Sequence, residues 1–298
     1  MIADAAIKRL IQQALKEDIG PKDITSNAVM HRAKKGKFVM LTKQECVVCG
    51  LSIAEVVFET VDSTIHFKPL VNDGTKAVKG KALAYIDGGC QSVLAAERTA
   101  LNFISWLSGI STLTNKFVEA VKGTRAKVLD TRKTIPTLRR LQKYAVRIGG
   151  GTNHRMGLYD QVLIKDNHLE ALMAEPTIVK DTRSAIENAL KSAKMNAGRG
   201  KKIEIEVTSL DMLKAALKHN PDIIMLDNMS VGKIGEAVRI RDAHRIRVGD
   251  VGFKVLLEVS GNVTLENVKE IADCGVDRIS IGSLTHSAPS VDISLEAR

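Results

Sequence analysis

Between Gly149 and Leu169 the chain reads GGGTNHRMGLYDQVLIKDNHL, a glycine triplet, a His-Arg pair and an apolar run that ends in Lys165, Asp166, Asn167 and His168. Flexible backbone beside packed cations is suited to holding an anion. From Asp130 to His168 there are eight basic side chains, Arg132, Lys133, Arg139, Arg140, Lys143, Arg147, Arg155 and Lys165, opposed only by Asp130, Asp160 and Asp166. Arg139, Arg140 and Lys143 have the spacing of an exposed helix face. Arg132, Lys133, His154, Arg155 and Lys165 fall at strand ends and in loops. There an arginine fork matches carboxylate or phosphate, and a lysine supplies a point charge. The glycine triplet either offers free amides or forms a tight turn.

Two further segments extend this chemistry. VSGN (Val259 to Asn262) and SIGSLTHS (Ser280 to Ser287) are glycine-bearing turns of the kind that bind phosphate after the late strands of an α/β barrel. Glu206 and Asp227 are acceptors for ribose hydroxyls or for a magnesium ion accompanying phosphates. The plainer readings are a salt-bridged strand residue for Glu206 and a turn former for Asp227.

These residues need a scaffold that gathers them. Six short apolar runs recur after about residue 113: AKVLDTRK, QVLIKDNH, KIEIEVTS, DIIMLDNMS, KVLLEVSGN and RISIGSLTHS. Helical patterns separate most of them, with Ser209 and Thr264 at N-cap positions. Strands alternating with helices predict a parallel sheet with right-handed crossovers, as an α/β barrel or a doubly wound sheet. In a barrel, the polar residues that follow each run share the catalytic rim. Residues 1–112 read differently. An amphipathic helix carrying Ile7, Leu10, Ile11, Ala14 and Leu15 on one face precedes strand-like pieces divided by glycine turns. The long pattern SVLAAERTALNFISWLSGISTLTNKFVEAV, with Trp106, then predicts a helix joining the two regions.

The composition narrows the function classes. The chain has 298 residues, 44% hydrophobic and 26% charged, with a net charge of +10. No apolar run is long enough to span a bilayer, and the N-terminus lacks the apolar segment of a signal peptide. The expected location is the cytoplasm. The pair Cys46 and Cys49 has no second pair to complete a zinc site and reads as buried small hydrophobes. Positive charge predicts anionic partners, nucleic acid among them. Aromatic residues are only 3% of the chain, and no nucleic-acid-binding motif is present. A basic nucleic-acid-binding protein, acting through His31–Lys37 or Arg239–Arg247, is the alternative from another class.

The segments ERTALNF, LSGI, LDTRKT, KYAVR, NHRMGLYD, VLIKDNH, EIEV, MLDN, EVSGN and ISIGSLTHS together resemble the quinolinate phosphoribosyltransferases, decarboxylating pentosyltransferases of NAD biosynthesis. The likeness spans nearly the whole chain with the motifs in order. It implies an N-terminal α/β sandwich over residues 1–112 and an incomplete parallel α/β barrel over 113–286, with 287–298 returning to the first domain. It implies transfer of the phosphoribosyl group of phosphoribosyl pyrophosphate to quinolinate, with Mg²⁺, giving nicotinate mononucleotide, pyrophosphate and carbon dioxide. It implies a homodimer with shared sites, and no nucleic-acid or membrane partner. By residue, the resemblance assigns Arg132, His154, Arg155 and Lys165 to the quinolinate carboxylates, with Arg98 lent by the partner subunit. Lys133, Lys165, Glu206, Asp227, Ser260, Gly261, Gly282 and His286 fall to the phosphoribosyl pyrophosphate side, with Lys133, Lys165, Glu206 and Asp227 as the catalytic set. A related enzyme acting on nicotinate or another pyridine or pyrimidine acid is the near alternative. The chain departs from the family pattern at TIPTLR, at Asn262 in place of glycine, and at HRIRVGDVGF, expected to be extra loop.

Overall fold

A computed structural model describes residues 4–31, 33–174, 181–248 and 255–298. In chain order it contains α1 (Ala5–Ile19), α2 (Ile24–Val29), β1 (Lys35–Thr42), β2 (Cys46–Val47), α3 (Leu51–Val61), β3 (His66–Pro69), β4 (Lys76–Ala77), β5 (Ala82–Gly89) and α4 (Cys90–Ala120). There follow β6 (Lys127–Leu129), α5 (Arg139–Ile148), β7 (Val162–Ile164), α6 (Asp166–Met173), α7 (Thr182–Asn196), β8 (Ile203–Val207), α8 (Leu210–Leu217), β9 (Ile223–Asp227) and α9 (Val231–Val248). The chain ends with β10 (Leu256–Ser260), α10 (Val268–Asp273), β11 (Arg278–Ser280), α11 (Ser283–His286) and β12 (Ile293–Ala297). By their contacts these residues form two units. One comprises Met1–Asn115, Thr134–Gly150 and Ser283–Arg298; the other comprises Lys116–Lys133 and Gly151–Gly282.

The first unit is built on an antiparallel sheet in the order β12-β1-β5-β3. The last strand of the chain pairs with the first, Phe38 opposite Ala297 through Thr42 opposite Ile293. On α1 the buried residues are Ile7, Ile11 and Leu15, at helical spacing, and Asp4 caps the helix by accepting the N–H groups of Ala6 and Ile7. Ile53, Val57 and Phe58 of α3 are buried, and the Phe58 ring stacks on Phe67 at 5.9 Å. Cys46 and Cys49 are both buried. The Cys46 thiol meets the Thr42 hydroxyl at 3.6 Å, and burial raises the pKa of Cys49 well above the usual thiol value. They pack as small hydrophobes. Lys143 departs from its expected place: it is only 1% exposed. Its neighbours Leu141, Gln142, Ala145 and Val146 are also buried, so α5 is covered on more than one side and its polar stripe does not reach solvent there.

The second unit is a six-stranded parallel sheet in the order β6-β11-β10-β9-β8-β7. Strands β6 and β7 are consecutive among the parallel strands yet stand at opposite ends of this order, which leaves an incomplete barrel. At the β6 edge a loop takes the place of a strand: Leu129 bridges Thr152, whose N–H donates to the Val128 carbonyl at 2.8 Å. Ser209 caps α8 by accepting the Met212 N–H. Thr264 does not cap α10, because Leu265–Asn267 form a turn first and the helix starts at Val268. Thr264 instead heads that turn: its carbonyl accepts the Val268 N–H at 3.0 Å, and its own N–H donates to the Asn267 side chain, which in turn donates to the Asn262 carbonyl. His244–Val248, expected as loop, continue α9. Arg32 and Gly249–Phe253, which belong to the basic run and the extra loop, lie outside the described residues.

Gly109 shows how closely the C-terminal segment lies on α4. A Cβ at this position would stand 2.1 Å from the Pro289 carbonyl oxygen, inside any allowed contact. Gly109→Ala is therefore expected to destabilise the fold by about 1–3 kcal/mol, read as a lowered midpoint in thermal unfolding.

Candidate active site

The C-terminal ends of the parallel strands carry most of the expected residues of the second unit. Asp130 closes β6 and is fully buried. Its carboxylate accepts the His154 N–H at 2.8 Å and the Asn153 amide, so it fastens the Asn153–Gln161 loop to the strand end. Asp160 closes the far side of this loop by accepting the N–H groups of Met156 and Gly157. A Cβ at Gly157 would meet the exposed Tyr159 ring at 2.4 Å, so a side chain there would have to displace that ring.

Within this frame Arg132 and Arg155 face each other electrostatically. Arg155 is 7% exposed. Burial, and after it the like charge of Arg132, lower its pKa, while Glu204 and Asp160 act in the opposite direction. Its guanidinium donates to the Gln161 carbonyl at 3.2 Å. Two guanidinium groups held against their mutual repulsion attract an anion. Lys133 is exposed beyond them.

Across the rim, Lys165 ends the β7 segment and reaches Glu206 at the end of β8, Nζ to Oε2 3.3 Å. Burial raises the pKa of Glu206; Lys165 opposes that shift and the charge of Asp227 adds to it. Asp227, at the end of β9, accepts a hydrogen bond from Asn228 at 2.7 Å. Asn228, Gly261 and Asn262 all have positive φ, 52°, 89° and 52°. At Gly261 glycine is required by space as well, since a Cβ would lie 2.1 Å from the Asn228 side-chain oxygen. The Asn228 N–H donates to the Ser260 carbonyl at 2.9 Å, which ties the β9 and β10 ends together. Gly282 follows β11. Arg98 and His286 belong to the first unit and are exposed there, on α4 and at the end of α11. His168 is not a rim ligand; its Nδ1 accepts the Lys165 N–H at 2.9 Å at the start of α6.

His154 occupies a different place from the one its neighbours suggest. Its side chain is 5% exposed, and Nε2 lies 3.1 Å from Glu204 Oε2 and 3.3 Å from Glu258 Oε1. Its Nδ1 accepts the Arg155 N–H at 2.7 Å. Both ring nitrogens are thus turned onto protein groups. Glu258 is held in turn by Arg278, Nε to Oε2 2.5 Å, and Glu204 by the Gln161 amide at 2.5 Å. Residues two apart on a strand share a face. Glu204, Glu258 and Arg278 therefore stand one step beneath Glu206, Ser260 and Ser280, forming an ionic layer under the rim. The sequence reading missed all three. The available signal was IEIEV itself, a strand buried at every position that nevertheless contains two glutamates.

The ligand-type atoms of His154, Glu204 and Glu258 lie within 4.8 Å of one another, close enough to suggest a metal. The tautomer argues otherwise. A metal-bound Nε2 must be free of its proton, but Nδ1 faces the Arg155 N–H, so the single proton of the neutral ring sits on Nε2, within ion-pair distance of both carboxylates. A cleft at the opposite ends of the strands, lined by Arg125, Lys202, Asp222, Arg241 and Asp277, is organised around internal pairing. Arg125 and Arg241 both meet Asp277 there.

Comparison with known proteins decides among the chemistries open to this rim. Residues 23–108 match the model of the quinolinate phosphoribosyl transferase N-terminal domain, and residues 110–296 match that of the C-terminal domain. The chain belongs to the quinolinate phosphoribosyltransferase family. It is 42% identical to the probable nicotinate-nucleotide pyrophosphorylase (carboxylating) of Methanocaldococcus jannaschii, covering 99% of this chain and 98% of that one. It is 40% identical to the corresponding enzyme of Mycobacterium leprae over 98% and 97% of the two chains. The solved nicotinate-nucleotide pyrophosphorylase of Francisella tularensis superposes with a TM-score of 0.86 at 38% identity, over 98% of this chain and 96% of that one. As a member of the quinolinate phosphoribosyltransferases, the chain thus extends over nearly the full length of its relatives.

The pKa of His154 supplies a pH test of the ionic layer. Burial is the largest influence and acts to lower it. Hydrogen bonds and charge from Glu204 and Glu258 outweigh burial and raise the pKa from 6.5 to about 9. A second proton would sit on Nδ1 and end its acceptor role toward the Arg155 N–H, a loss that the two nearby carboxylates outweigh. A folded-state pKa above the unfolded value gives stability that is complete below the unfolded value and is lost as pH rises through the folded one. Wild-type protein should therefore lose thermal stability between about pH 7 and about pH 10 more steeply than His154→Gln. Parallel unfolding curves for the two proteins would contradict this.

Proposed function

We propose that this chain transfers the phosphoribosyl group of phosphoribosyl pyrophosphate to the ring nitrogen of quinolinate and removes one carboxyl group, yielding nicotinate mononucleotide, pyrophosphate and carbon dioxide for NAD biosynthesis. The observation that carries the reading is the opposed pair Arg132 and Arg155, in a chain that belongs to this family along its whole length. A pyridine dicarboxylate and a polyphosphorylated sugar repel each other, and pairing them needs fixed positive charge. Arg132 and Arg155 would take the quinolinate carboxylates, with Lys165 beside them. Lys133, Ser260, Gly261 and Gly282 would take the phosphates, with His286. His154 acts from beneath, because both its ring nitrogens are engaged by the protein.

In the first step the pyridine nitrogen bonds to the anomeric carbon as the bond to pyrophosphate breaks, and positive character develops on the ribose ring. Glu206 and Asp227 would face that charge and orient the ribose hydroxyls, while Lys133 balances the departing pyrophosphate. The glycosylated nitrogen is cationic, so the adjacent carbon can keep the electron pair when carbon dioxide leaves. A proton then fills that position. No protein nucleophile is needed, and positioning carries most of the rate.

Glu206 and Asp227, on neighbouring strand ends with interacting charges, are hard oxygen donors of the kind magnesium accepts. They would hold Mg²⁺ together with the substrate phosphates, and the ion would neutralise charge on the leaving pyrophosphate. The assembly we propose is a homodimer in which Arg98 of one protomer enters the site of its partner. Its free cysteines suit a reducing compartment, and we place the enzyme in the cytoplasm.

Arg132→Ala or Arg155→Ala should lower kcat/KM at least about a hundredfold while the fold survives. Near-wild-type kinetics in either purified variant would refute the carboxylate assignment. Mixing Arg98→Ala with Lys165→Ala should restore activity to about a quarter of wild type, since random pairing gives half heterodimers with one intact site each. Verified heterodimers without activity would rule out a shared site.

A further inference from the structure

Glu204 is fully buried in the middle of β8, one step below the rim residue Glu206, and no step of the proposed reaction uses it. Two lines of contact run from this carboxylate to Arg155. The first passes through the backbone: Glu204 Oε2 lies 3.1 Å from His154 Nε2, and the same ring meets the Arg155 main chain, Nδ1 to N 2.7 Å. The second passes through the side chain: Glu204 Oε2 accepts the Gln161 amide at 2.5 Å, and the Gln161 carbonyl accepts the Arg155 guanidinium at 3.2 Å. One oxygen therefore closes the loop from His154 to Gln161 and holds Arg155 at both its main chain and its guanidinium.

We propose that Glu204 is a positioning residue for quinolinate binding, which acts by bracing Arg155 from two sides through His154 and Gln161. The proposal rests on the reading of Arg155 as a carboxylate-binding arginine. Arg132 and Arg155 repel each other, so without a brace Arg155 would swing toward solvent and away from its partner. Glu258, held by Arg278, keeps the His154 ring seated against Glu204. Stability alone gives a weak reason for this layer. Parallel barrels are ordinarily filled at such positions by branched apolar side chains, and a buried ion cluster replaced by apolar groups of similar volume is often neutral or stabilising. Here the buried charge is linked through His154 and Gln161 to an arginine of the proposed carboxylate pair.

The test is Glu204→Gln, which keeps the shape but places an amide against both the imidazole N–H and the Gln161 amide. We expect the KM for quinolinate, and its Kd by calorimetry without the second substrate, to rise at least about tenfold. The KM for phosphoribosyl pyrophosphate should stay within about twofold. Gln161→Leu cuts only the side-chain arm and should raise the quinolinate KM by a smaller factor; the double variant should be no worse than Glu204→Gln alone. A folded Glu204→Gln with unchanged quinolinate affinity would overturn the proposal, as would equal changes in both KM values. If Glu204→Gln does not fold, the same two outcomes in Gln161→Leu decide the matter. Arg155→Ala is the control. Were it to bind quinolinate normally, the reading of Arg155 would be at fault; were it alone to lose binding, only the brace would fail.

Discussion

Like charges held close together are the constraint around which this molecule is organised. Arg132 is near enough for its charge to lower the pKa of buried Arg155, and burial and the neighbouring charge of Glu258 raise the pKa of Glu204. Neither cluster is stable in isolation, because an unpaired charge out of water costs several kcal/mol. Stacked one above the other, the arginines at the rim and the carboxylates beneath it offset each other in part. Arg278 supplies a further cation, and the His154 ring lies between the two carboxylates. His154 and Arg278 reverse the effect of burial on Glu258 and hold its pKa below the ordinary value. The result is an arginine held by protein groups before any substrate arrives, its guanidinium on the Gln161 carbonyl. Preorganised charge of this kind is the form of catalysis that a reaction between two anions requires.

The scaffold accounts for how that charge is held. Parallel strands deliver their C-terminal ends to one rim, and the open edge between β6 and β7 leaves room for the Asn153–Gln161 loop. That loop has no regular secondary structure to fix it. Its order comes from side chains: Asp130 at its start, Asp160 across its turn, and Glu204 under its middle. Closing β6 against β7 would satisfy more backbone but would leave no place for Arg155 beside Arg132.

Much of this was legible in the sequence, and the reason is period. All six apolar runs became strands, and the polar residues after them are the rim residues, because a strand end in a parallel barrel has one fate. The long amphipathic pattern became α4, and Ser209 caps its helix as its type predicts. What failed did so where a local signal competes with a neighbour. Thr264 has the right type for an N-cap, but it heads a turn at Leu265–Asn267 and regular helix starts only at Val268. Lys143 has the spacing of an exposed face on a helix that is covered on two sides. HRIRV looked like loop because arginine and histidine are common there, yet the helix α9 simply continues.

The ionic layer was the least legible feature, and the cause is instructive. A glutamate followed two residues later by another is compatible with a strand that has one wet face, which is how half-buried strands read. Only the parallel order of the sheet, which covers both faces of β8, converts Glu204 from a solvated residue into a buried charge in need of partners. Its partners are then drawn from far away in sequence: Gln161 and His154 before it, and Glu258, the acid that shares His154, after it. Spacing along one chain does not register such a contact, since each residue alone has an ordinary explanation. The sequence sets His154 beside Arg155, while the fold buries the histidine ring against Glu204 and Glu258. In a loop without regular structure adjacent side chains can take separate partners, and here the histidine meets buried carboxylates while the arginine guanidinium donates to the Gln161 carbonyl.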